Sequence, residues 1–110
     1  MKCPTELSEV SRERWPDGTE VVSCAIPFPY RRKPPVPANT PSHVGLVPLD
    51  RVFASQRTVV AHGLREKNYG KPLVYAEPDG TFTIGDGHHR LTRAKLRGQK
   101  AVRARIVKVS

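Results

Sequence analysis

Residues Gly85-Asp86-Gly87-His88-His89-Arg90 put an acid, two imidazoles and a guanidinium on neighbouring positions around two glycines. Those groups suit phosphate chemistry. An imidazole can protonate a leaving oxygen. A guanidinium can clamp two anionic oxygens and stabilise developing charge. The flanking segments, Thr81–Ile84 and Leu91–Arg97, read as a short strand and a helix that stops at Gly98. The cluster then falls at a helix N-terminus, where open N–H groups and the helix dipole already favour an anion. Gly85 and Gly87 permit a tight turn and a close backbone approach to a ligand. Gly85, Gly87, His88, His89 and Arg90 are therefore the candidate phosphate ligands, and His88, His89 and Asp86 the candidate catalytic groups. Asp86 is equally suited to capping the helix. Adjacent helical residues diverge by roughly 100°, so the two imidazoles do not converge on one ion and no metal site is assigned to them.

Arg90, Arg93 and Arg97 stand at i, i+3 and i+7 and share one helix face. The stripe is either a contact to a nucleic-acid backbone or a solvated face. Arg103 and Arg105 alternate with Val102, Ala104 and Ile106 along a last strand, Ala101–Val109, so one face is buried and the other basic. Arg93, Arg97, Arg103 and Arg105 are the candidate nucleic-acid contacts. The chain carries a net charge of +9, unevenly placed. From Gly85 onward eight basic residues face one acid, whereas the first 20 residues hold three basic residues and five acids. Such an imbalance is the footprint of a polyanion binder.

With 110 residues the chain is long enough for one modest core. No run approaches the roughly 18–20 apolar residues of a membrane span, so no membrane partner is expected. The N-terminus, Met1–Glu6, lacks the apolar core of a secretory signal, and a cytoplasmic location is expected. Two cysteines, Cys3 and Cys24, form no framework or zinc pattern and read as ordinary reduced thiols.

The chain divides into an N-terminal extension, 1–44, and a compact domain, 45–110. In the extension, Thr5–Arg14 reads as a short helix capped by Thr5, followed by a turn at Trp15-Pro16-Asp17-Gly18 and a strand over Glu20–Ile26. Trp15 is expected to be a packing anchor. Residues 27–41 hold six of the eleven prolines and read as an extended, polyproline-type arm, either packed on its own domain or open to a protein partner. In the compact domain a strand is expected at Val44–Leu49, a helical turn at Asp50–Ala54 and a helix at Thr58–Asn68, weakened by Gly63. A hairpin follows, Leu73–Glu77 and Thr81–Ile84 around Pro78-Asp79-Gly80. The fold class is α+β, a small mixed sheet with flanking helices, preceded by the proline arm.

The motif order resembles the ParB/sulfiredoxin-like domain family. The matching words are Val47-Pro48-Leu49-Asp50-Arg51-Val52, Gln56-Arg57, Gly70-Lys71-Pro72-Leu73-Val74-Tyr75, Phe82–Arg90 and Gly98. The resemblance covers about residues 46–109 and implies a phosphate-binding Gly-x-x-Arg box at the turn. Sulfiredoxins carry a nucleophilic cysteine where this chain has His88, so sulfinic-acid reduction does not transfer. Asp-Gly-His-His-Arg is also similar to the turn of free-serine kinases of the fold, which implies Asp50 as a base.

These observations support a ParB-like module that binds a nucleotide or a nucleic-acid backbone at the turn, with weak nuclease or nucleotidase activity as its catalytic form. A nucleoside triphosphate and a divalent ion on Asp86 or Asp50 are the cofactors this reading would take. The alternative is a non-catalytic phage- or plasmid-type accessory protein that binds another macromolecule through the fold and the arm. A small-molecule kinase is a lesser alternative. Acids are scarce in residues 45–110, which favours binding over metal-dependent cleavage.

Overall fold

The computed structural model describes residues 1–66 and 70–109. Among these, eight strands and one helix form a mixed α+β fold that is mostly sheet. The strands are β1 (Glu9–Arg14), β2 (Glu20–Ala25), β3 (His43–Pro48), β4 (Val52–Phe53), β5 (Thr58–Val60), β6 (Leu73–Ala76), β7 (Phe82–Asp86) and β8 (Ala101–Lys108). The helix α1 (His88–Leu96) lies between β7 and β8. One sheet has the order β1-β2-β5 and the other β3-β8-β6-β7-β4. In the larger sheet β8 runs parallel to β6, and β4 parallel to β7. The described residues contain no helix long and apolar enough to cross a membrane.

The larger sheet follows the sequence pattern closely. β6 and β7 form the hairpin around Asp79-Gly80, where Asp79 accepts the Thr81 N–H and Gly80 sits at φ +86°. Val74, Ile84, Ala104 and Ile106 point from the sheet to Leu91 and Ala94 of α1, making the main core with Val47, Leu49, Val52 and Phe28. Buried apolar surface of this kind is the dominant stabilising term.

Four expectations fail on local grounds. Thr5–Arg14 is not a helix, because Glu9–Arg14 pairs with β2 as a hairpin closed by the Trp15–Thr19 turn. β1 is exposed throughout. Its strand state comes from that ladder and from Arg12, which bridges Glu9 and, across the hairpin, Glu20. Trp15 caps the hairpin at 53 % exposure and anchors nothing. Thr58–Val60 is a strand on the edge of β2 rather than a helix, as its β-branched run prefers, and 61–65 continue as turns. The rest of that expected helix, at Lys67 and Asn68, lies outside the described residues. The helical turn expected at Asp50–Ala54 is a single 3₁₀ turn at Leu49–Arg51, after which Val52 and Phe53 pair with β7.

Cys3 and Cys24 are joined, with Cα atoms 5.8 Å apart, which corrects the expectation of reduced thiols. β2 turns Cys24 into a second core with Leu7, Val22, Val59, Ala61 and Leu64, and Cys3 packs against the same cluster. The separation of the two Cα atoms is that of ordinary disulfides.

The proline arm is docked. Phe28 is buried in the main core. Pro29 O accepts the Ala54 N–H, and Ala54 O accepts the Arg31 N–H. The Arg31 guanidinium lies 4.0 Å over the Phe53 ring and donates to Thr81 Oγ1 and Thr83 Oγ1 at 2.8 and 2.9 Å. Apart from the isolated Tyr30–Ala54 bridge, residues 27–41 form no strand pairing.

Candidate site: an arginine groove along the helix

α1 begins where the sequence expected it. Gly87 adopts φ +96°, a left-handed conformation that turns the chain from β7 into the helix without strain. The reason for glycine at this position is packing as well as conformation, since a Cβ on Gly87 would stand 2.7 Å from Pro72 Cβ. At Gly85 a Cβ would meet the Tyr75 ring at 2.6 Å. The close approach at both glycines is therefore to the protein's own β6 and the residue before it. Asp86 makes no side-chain cap to the helix.

Both imidazoles are engaged through Nε2. His88 is buried, and its Nε2 accepts the Ser55 N–H at 3.0 Å, while Ser55 Oγ donates to Ile84 O at 2.6 Å. His89 Nε2 accepts the Val60 N–H at 3.0 Å. Its ring lies on Gly63, where a Cβ would clash at 2.6 Å. Burial, with the charges of Lys33 and His89 adding, pushes His88 down to about 4. Burial and then Arg93 lower His89 as well. Both rings are thus neutral acceptors near pH 7, and they tie the helix start to the chain before β5 and to β5 itself. Among the described residues no three His, Cys, Asp or Glu side chains cluster in a way that could hold a metal ion.

The arginine stripe is where the charge converges. Arg90, Arg93 and Arg97 line one hollow of about 900 Å³, together with Arg65 from the turn after β5 and Arg103 from β8. Glu66 is the acid among the described lining residues, and it lies 2.7 Å from His62 Nε2. An adjoining hollow of about 400 Å³ shares Leu64, Arg65, Arg93 and Arg97 and adds Lys2 and Cys3. Arg93 Nη1 donates to Gly63 O at 3.0 Å, which fixes the middle of the stripe. Burial, then the charges of Arg97 and Arg90, lower the Arg93 pKa. The Nη1 atom of Arg90 is buried with no hydrogen-bond partner. Like charges this close repel, and an anion laid among them would relieve that repulsion.

Other candidates lie elsewhere. Asp50 lines a hollow with Lys95, Gly98 and Lys100, at the C-terminal end of α1 and away from the histidines. The 3₁₀ turn at Leu49–Arg51 places Asp50 beside the C-terminal end of the helix. Arg105, on the same exposed face of β8 as Arg103, lines a different hollow, against Pro37 of the arm and Tyr75. Gln56 Nε2 donates to Thr58 O, and Arg57 lies 4.1 Å over Tyr30. The sequence reading missed Arg65 and Lys2. Arg65 was hidden inside a segment read as helix, and Lys2 lines the adjoining hollow beside Cys3, which is tied to β2.

No protein-family model matches the chain, and no curated protein matches it. Among solved structures the chain is similar to the C-terminally truncated chromosome-partitioning protein ParB from Caulobacter crescentus, complexed with CTP-gamma-S. The identity is 22%, the TM-score 0.47, and the match covers 62% of this chain. It spans 46% of that protein's chain, less than half.

Proposed function

We propose that this protein binds the phosphate backbone of duplex nucleic acid in the groove between α1, β8 and the turn after β5, without reading base sequence. The observation that carries the reading is the convergence of Arg65, Arg90, Arg93, Arg97 and Arg103 on one open groove with Glu66 alongside them. Guanidinium groups in a row match a row of phosphates. The described lining contains no aromatic side chain. Single-strand binders rely on such rings as stacking platforms, so their absence among the described residues favours backbone contact on a duplex. The sequence carries no recognisable base-reading motif, so discrimination among sequences is expected to be small.

Binding has more support than cleavage. The Nε2 atoms of His88 and His89 already accept backbone N–H groups, and Asp50 lines a separate hollow. The test is binding of short duplexes of unrelated sequence, of their separated strands, and of CTP and ATP. The reading expects equal affinity among duplexes, weaker binding of single strands and nucleotides, and a steep salt dependence. Tighter binding of a mononucleotide than of any duplex would overturn it.

A further inference from the structure

The Cys3–Cys24 link joins the N-terminal segment to the groove just described. Cys24 is fully buried near the end of β2, whereas Cys3 is only partly buried and lines the smaller hollow beside Arg93 and Arg97. Lys2 and Pro4 line the same hollow. Few other ties hold this segment. The Met1 amine lies 3.7 Å from Glu20, and Met1 O accepts from Arg12, both at the exposed surface. Leu7 N–H donates to Pro4 O, and Leu7 is the next residue buried in the second core. Between the terminus and Leu7, the disulfide is thus the buried anchor among the described contacts.

We propose that Cys3–Cys24 is a redox switch that places Lys2, Cys3 and Pro4 as a wall of the hollow adjoining the arginine groove, with Lys2 as a cation beside Arg93 and Arg97. A small dithiol is the reductant class. One of its thiolates attacks Cys3 Sγ, the accessible sulfur, and the Cys24 thiolate leaves and takes up a proton. The second dithiol sulfur then attacks the first within the mixed disulfide, and the Cys3 thiolate leaves and is protonated in turn. Two electrons and two protons pass to the protein, and the dithiol becomes a disulfide. Cys24 stays buried in its strand, while the segment carrying Cys3 loses its anchor and takes Lys2 away from Arg93 and Arg97.

The binding consequence rests on the function proposed above; the release of the segment does not. The test therefore has two arms on the full chain, oxidised and dithiol-treated. Hydrogen exchange at Leu7 and its neighbours should accelerate on reduction by on the order of tenfold or more, in line with the chain restraint a disulfide imposes. Duplex affinity should fall, and the slope of log K against log salt should become shallower by about 0.9, one phosphate contact. Cys3→Ser should show the reduced behaviour with or without dithiol. Unchanged exchange on reduction would overturn the switch. Faster exchange with unchanged duplex affinity and slope would overturn its coupling to the groove. If neither form binds duplex, the function reading falls and the exchange arm alone decides whether the segment is released.

Discussion

The Val60 N–H donates to His89 Nε2 at 3.0 Å, so an imidazole placed at a phosphate-type turn serves as a structural acceptor between helix and strand. Its neighbour His88 does the same for the Ser55 N–H. Adjacent helical positions point in different directions, and here each reaches a different backbone donor in the stretch from Ser55 to Val60.

Replacing His89 with alanine should therefore cost stability. The half-buried Val60 N–H would lose its partner; a fully buried donor left unsatisfied costs about 1–3 kcal/mol, and partial access to water here places the loss near the lower end. Urea denaturation of His89→Ala is the measurement. A loss within error of zero would mean that the bond contributes nothing.

The same two rings give a pH dependence with a defined sign. The native state holds His88 at about 4 against an ordinary 6.5, so the unfolded chain binds the proton first as pH falls. Stability from this group is complete above about pH 6.5 and declines as pH drops toward about 4. At 1.36 kcal/mol for each pH unit the loss is at most about 3 kcal/mol, and partial solvent screening reduces it. His89 shifts in the same direction and adds to the decline. Denaturant midpoints measured across that window should fall steadily with acid, and His88→Gln should flatten the profile.

Gly87 tests whether the turn is built for a ligand or for the fold. Alanine there must hold φ near +96° and put a Cβ against Pro72. The left-handed conformation alone costs roughly 1–2 kcal/mol. Gly87→Ala should be destabilised by at least that much, while the folded fraction keeps its affinity for duplex. An unchanged midpoint with lost binding would return the turn to the role of ligand site.

The strand–turn–helix from Phe82 to Leu96 was legible because its signals are local: a β-rich run, glycines at the turn, and Gly98 at φ +79° past the helix end. The hairpin of β6 and β7 was legible for the same reason. The arginine stripe was legible as a face, through helical spacing, although whether that face was solvated or functional was left open. What the sequence hid were relationships set by distant partners. β5 is a strand because β2 offers an edge. Gly63 interrupts nothing helical and instead makes room for the His89 ring. Arg65 lines the groove from the turn after β5, and Lys2 lines the adjoining hollow beside the linked Cys3. Asp50 shares a hollow with Lys95 and Gly98 because the 3₁₀ turn places it beside the far end of α1.

The central claim is tested most directly by the salt dependence of duplex binding in an Arg97→Ala/Arg103→Ala variant. Arg97 caps the C-terminal end of α1 and Arg103 lies in β8, on two walls of the groove. If each meets a phosphate, the slope of log K against log salt becomes shallower by about 1.8, at about 0.9 for each contact, and affinity falls by a similar factor on every duplex sequence. Wild-type slope and affinity in the folded double variant would contradict the account, and the arginine groove would then be a solvated surface.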